Sequence, residues 1–185
     1  MKKIFNHTTL RRIGLLAFIA TGGGLLVSTA LNDSNVYKTE IMLVLGCFFL
    51  VSLVDHYRHI MTVEHQGFQY KKLLMTILYA GLGVIITWFI NHEVGYGPII
   101  ANGLVGIMAA TFLPNNLAGI VYTSSFIGMS SKTVIPDLYA ATLASVIVGC
   151  LLVITSDIYA GIGGKGGTTA ALSTIITKNI LGLFR

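Results

Sequence analysis

The most distinctive chemical feature of this chain is the run Gly161-Ile162-Gly163-Gly164-Lys165-Gly166-Gly167-Thr168-Thr169, in which five glycines surround one lysine and two threonines follow. Each glycine disfavours a helix by about 1 kcal/mol relative to alanine, so the run predicts a loop. Thr168 or Thr169 is then the expected N-cap of a last helix. Free amides at a helix start, together with the Lys165 ammonium, make a cradle suited to a small anion. The pattern is not a Walker A loop, which requires a glycine, four residues and then Gly-Lys-Ser/Thr.

A second group of polar residues lies in the apolar stretch Pro98 to Met129, which Pro114-Asn115-Asn116 interrupts. Asn102, Asn115, Asn116, Ser124 and Ser125 offer neutral donors and acceptors there. They are the expected lining of a solute pocket or passage, with Lys165, Thr168 and Thr169 as the companion site. Proline removes a backbone donor, and lipid cannot satisfy the carbonyl left behind, so the break is expected to face protein or water.

Signatures of catalysis are missing. Ser124 and Ser125 sit in Tyr-Thr-Ser-Ser-Phe-Ile-Gly, without the Gly-x-Ser-Gly setting of an intramembrane serine protease, and Glu40, Asp55, Asp137 and Asp157 all fall at segment ends. Asp137, just after Pro136, is placed to complement the dipole of a helix that follows it. His56 and His59 are three residues apart, a spacing that shares a helical face and suits a metal. Five histidines in the whole chain are nevertheless too few for the histidine boxes of membrane di-iron desaturases. Contact with lipid headgroups is the expected role of Asp55 to His65, and no enzyme activity, metal or cofactor is expected.

In His92 to Pro98, the four residues Val94-Gly95-Tyr96-Gly97 resemble the potassium-channel filter signature. The likeness ends there, because Glu93 stands where that family has threonine and a full apolar segment replaces the short pore helix. A turn that delivers Pro98 to the first position of a helix is expected instead.

The elements that must position these groups are written in the composition. Hydrophobic residues make up 54% of 185 and charged residues 10%, with a mean hydropathy of +0.79. A soluble domain carries about 25% charged residues, so a water-facing surface is not provided for and the lipid bilayer is the expected solvent. Cys47 and Cys150 lie inside apolar runs, where a thiol behaves as a small hydrophobe. The net charge of +5 comes from basic residues that flank apolar segments, a placement suited to an anionic leaflet and not to nucleic acid. Ser28-Thr29-Ala30 resembles a signal-peptide cleavage site, but a second apolar run follows at once, so the first helix is expected to stay.

Four runs are long enough to cross a membrane: Ile13 to Leu31, Ile41 to Val54 with its flanks, Leu73 to Ile90, and Leu138 to Thr155. Thr168 to Phe184 adds a further segment. If Pro98 to Met129 crosses once as a broken helix, positive residues divide ten inside (Lys2, Lys3, Arg11, Arg12, Arg58, Lys71, Lys72, Lys132, Lys178, Arg185) to two outside (Lys38, Lys165). If it forms a hairpin, the division falls to eight against four. The positive-inside rule prefers the first. Small residues at three- and four-residue spacing, Gly103, Gly106, Ala109, Ala110, Gly119, Gly128, Ala140, Ala141 and Ala144, predict close helix packing.

The expectation is therefore an all-α integral membrane protein. One domain, residues 1 to 185, forms a compact bundle of about six transmembrane helices with a broken or re-entrant fourth segment. Multi-pass placement in a bacterial-type inner membrane, with both termini cytoplasmic, goes with it. The expected function is a small transporter or channel for a small solute or ion. The alternative is a non-transporting membrane subunit or scaffold that packs against partner helices. Expected partners are the bilayer, a small anion or ion, and further copies of the chain or other membrane subunits.

Overall fold

The computed structural model describes residues 7–32, 40–41, 43–48, 50–51, 57, 69–159 and 163–183. It is all-helical. Six helices have described bounds: α1 (His7–Asn32), α2 (Tyr70–His92), α3 (Pro98–Phe112), α4 (Asn115–Gly128), α5 (Leu138–Thr155) and α6 (Lys165–Leu183). The described positions between Glu40 and Val51 are helical as well. Among the described residues, three helical stretches are long and apolar enough to cross a membrane: Arg11–Thr29 within α1, Tyr70–His92 and Leu138–Thr155. At 1.5 Å per residue α3 and α4 are only about 22 and 21 Å long, less than the hydrocarbon thickness of about 30 Å.

The chain packs as two compact units, Met1–Gln66 with Thr155–Thr168, and Gly67–Ile154 with Thr169–Arg185. In the first, the turn after α5 grips α1. Ile158 sits against Gly14, where a Cβ would lie 2.7 Å from the Ile158 side chain. The Tyr159 hydroxyl donates to Gly14 O at 3.0 Å, and its ring meets Phe18 at 5.0 Å. Burial pushes the Tyr159 phenol up from its usual range.

The second unit is built around α2. Its core joins Ala80, Val84 and Trp88 of α2 to Ile127, Ile135, Val148 and the alanines Ala140, Ala141 and Ala144. Helix α4 runs parallel to α2, since Gly83 meets Val121 and Ser124 while Thr87 and Trp88 meet Gly128. Helix α5 runs antiparallel, with Gly81 beside Ser145 and Ile77 beside Gly149. These glycines explain the closeness. A Cβ on Gly128 would stand 2.6 to 2.7 Å from Val84 O, Thr87 Cβ and Trp88 N.

Between α3 and α4 the chain breaks as expected at Pro114. It does not continue in one direction, however. Leu113 and Pro114 are both extended, with ψ of 149° and 147°, so the chain reverses into a helical hairpin. Asn102 meets Ser125 and Gly106 meets Tyr122 across it. The two halves of residues 98 to 129 thus lie side by side, which agrees with the re-entrant form of the expected fourth segment and not with its single broken crossing. The open end of the hairpin is pinned to the end of α2 by the ion pair of Glu93 with Lys132, 3.2 Å apart. In a single crossing those two residues would lie on opposite faces.

Candidate functional site: the hairpin and its rim

The loop before α3 takes the expected turn. Gly95 and Gly97 adopt φ of 82° and 83°, which side chains rarely tolerate, and Pro98 opens the helix. On the other side of the rim, Asp137 Oδ1 accepts from Ala140 N at 2.8 Å and caps α5, the dipole role expected for it.

Of the residues expected to line a site, the structure brings two together. Ser125, fully buried on α4, donates its hydroxyl to Asn102 Oδ1 on α3, and its Oγ lies 2.7 Å from Tyr122 O. Ser124, also fully buried, donates to Ile120 O at 2.7 Å and presses against α2 at Gly83. Asn115 and Asn116 do not join them. Both are exposed in the first turn of α4, at the tip of the hairpin, where Pro114 O accepts from the amides of Leu117 and Ala118. Their role there is to turn the chain.

Around Lys165 the expected cap is displaced. Helix α6 begins at Lys165 itself, after Gly164 at φ 76°, so Gly166 and Gly167 form its first turn. Thr168 lies inside the helix, with both its amide and its hydroxyl donating to Gly164 O at 3.1 and 3.3 Å. Thr169 is buried, and Lys165 is exposed. Neither threonine is the N-cap. Lys165 and Thr168 belong to the first unit, whereas Asn102, Ser124 and Ser125 belong to the second. The Asp55 to His65 histidines and the start of the glycine run, Gly161 and Ile162, lie outside the described residues. Among the described residues no three of His, Cys, Asp or Glu are grouped to hold a metal.

A polar rim at the C-terminal end of α2 was not expected. Trp88 Nε1 donates to Ile135 O at 3.1 Å, and Lys132 Nζ lies 5.6 Å above the same indole ring. Asn91 Nδ2 donates to Gly128 O at 3.1 Å. His92 Nε2 is 2.8 Å from Ser130 O, and a carbonyl only accepts, so His92 carries its proton on Nε2. Its ring lies 5.2 Å from that of Trp88. The orphan carbonyls at the end of α4 are thus partly met by side chains of α2.

Deeper along α2, Thr87 is fully buried, and its hydroxyl has no hydrogen-bond partner among the described residues. Thr76, Thr87 and Asn91 are all buried and lie on one face, because steps of 11 and 4 residues are close to whole helical turns. That spacing was the available signal for them. Comparison of the chain with known protein families, with curated proteins and with solved structures finds no match.

Proposed function

We propose that this is a single-domain, multi-pass membrane protein of the transporter or channel kind, passing a small solute or ion across a bacterial-type inner membrane. One observation carries the reading. Each helix of the second unit buries a neutral polar side chain, such as Thr76, Asn102, Ser124, Ser145 and Thr177, while the outer ridge of α2, from Leu74 through Leu78 and Leu82 to Phe89, is exposed and apolar. Polar contacts between helices in lipid contribute only about 0.6 kcal/mol on average, so stability alone is a weak reason to keep so many.

The hairpin sets the parity of the chain. Whether it crosses fully or only dips in, α5 starts on the face where α2 ends. With Lys71 and Lys72 cytoplasmic by the positive-inside rule, Glu93 and Lys132 face outward and α5 returns to the cytoplasmic face. Helix α6 then runs outward, in place of the expected cytoplasmic C-terminus. Labelling of single cysteines with an impermeant reagent tests this: Lys132→Cys should react from outside and Lys71→Cys should not. Flux of a panel of ions and small solutes in proteoliposomes tests transport.

A second reading, a membrane subunit that packs against partner helices or further copies, has its own support. Gly83, Gly128 and Gly149 serve contact between helices, and most buried hydroxyls bond to their own helix. Absence of flux across a wide panel would favour it.

A further inference from the structure

We infer that the hairpin of α3 and α4 reaches through the whole apolar layer, so that its tip, Pro114 to Asn116, lies among phospholipid headgroups at the level of Lys71 and Lys72, an inference that rests on the membrane placement above and not on transport. The register of the helices in the second unit sets this depth. Helix α4 meets the parallel α2 at two heights: Gly83 lies against Val121 and Ser124, and Gly128 against Thr87 and Trp88. Equal steps back along both helices from the second contact put Asn115 level with Met75, about 5 Å or one turn from Lys71 and Lys72. The first contact gives the same level to within a turn. Helix α3 descends to it from the rim, with Asn102 opposite Ser125 and Gly106 opposite Tyr122. Helix α5 ends there too, because Gly81 beside Ser145 and Ile77 beside Gly149 carry Ile154 to the level of Lys72.

The surface agrees with that depth. Tyr70, Lys71 and Lys72 are exposed at this end, and so are Pro114, Asn115 and Asn116. Tyr96 and Tyr139 are exposed at the other end, where the rim lies. Tyrosine concentrates at membrane interfaces and lysine complements an anionic leaflet, whereas the outward side chains between the two ends, such as Leu78, Leu82 and Ile107, are apolar. Although α3 and α4 are each shorter than the hydrocarbon layer, the extended Leu113 and Pro114 lengthen the reach by up to about 3.5 Å per residue. A tip held at the middle of the bilayer would set two exposed carboxamides and the free amides of the first turn of α4 against hydrocarbon, which cannot hydrogen-bond to them. Level with the lysines, the same groups meet headgroup phosphates and water.

The test uses the full chain in liposomes of phosphatidylethanolamine and phosphatidylglycerol, with Cys47 and Cys150 replaced by alanine and single cysteines introduced at other positions. Asn115 is exposed, so Asn115→Cys should fold as its parent does. The depth of a nitroxide on it, read from relative accessibility to oxygen and to a water-soluble nickel chelate, should fall within about 6 Å of one at Lys71→Cys and about 10 Å shallower than one at Leu82→Cys. A depth equal to that of Leu82→Cys would overturn the inference and leave the membrane placement standing. Aqueous readings at all three positions would overturn both. As a second measurement, an impermeant maleimide should modify Asn115→Cys from the side on which it modifies Lys71→Cys, whichever side that is. Modification only from the side of Lys132→Cys, or from neither, would overturn the inference, because the tip would then lie in a recess open at the rim or inside the apolar layer.

Discussion

Pro114 and the glycine run around Lys165 are the two irregular stretches of the chain, and they resolve in opposite ways. At Pro114 the helix stops. At Gly166 and Gly167 it begins, although both residues disfavour it. A proline lacks the N–H outright, and no neighbour can restore a missing donor. A glycine only raises the cost of helix by about 1 kcal/mol, which burial of the following turn, Thr169, Ala170 and Ser173, can offset. Covalent prohibitions survive tertiary context, whereas propensities are negotiable within it.

The largest effect expected from this contrast lies at a glycine that contact, not propensity, requires. Gly128→Ala places a methyl group against the backbone of α2 and should destabilise the protein by about 3 kcal/mol in unfolding measurements on detergent micelles. A neutral result would mean that α2 and α4 separate easily. Pro114→Ala comes next, at about 1 kcal/mol, because it frees the unfolded chain and permits a straight helix that competes with the hairpin. Disulfide formation between Asn102→Cys and Ser125→Cys should slow in that background. An unchanged rate would show that docking on α2, and not the proline, sets the break.

Gly167→Ala should act in the other direction. A Cβ there meets nothing within 4 Å, so the first turn of α6 should gain up to about 1 kcal/mol. A loss would show that the glycine serves something other than the helix. Glu93→Gln is the smallest change, at roughly 0.5 kcal/mol or less, because the pair with Lys132 is about half exposed on both sides. The loss should shrink further in high salt.

How far these features were legible depends on whether they are local. Helix α5 occupies the very run read from its apolar residues, Leu138–Thr155, and α2 extends the run Leu73 to Ile90 by three residues at its start and two at its end. Asp137 as a cap and Gly95 and Gly97 in a turn are equally local. The reversal at Leu113 was not legible, because a proline announces a break without saying where the next helix goes. The small-residue pattern identified Gly106, Gly128 and the alanines of α5, yet Gly103 and Gly119 meet nothing, while Gly83 and Gly149 carry close contacts that spacing alone did not indicate. Asn102 and Ser125 were both named, but only the folded hairpin pairs them and leaves Asn115 and Asn116 at its tip.

The chain contains a single tryptophan, and the hairpin rim has made it an optical reporter. Trp88 is 5% exposed, its indole N–H is bonded to Ile135 O, and a lysine ammonium lies over its ring. Its fluorescence belongs to one environment, so emission should be blue-shifted and resistant to aqueous quenchers while the connection from α4 to α5 stays seated on α2. Any event that lifts that connection, whether a solute, a partner or a change of lipid, becomes readable as a red shift without a label.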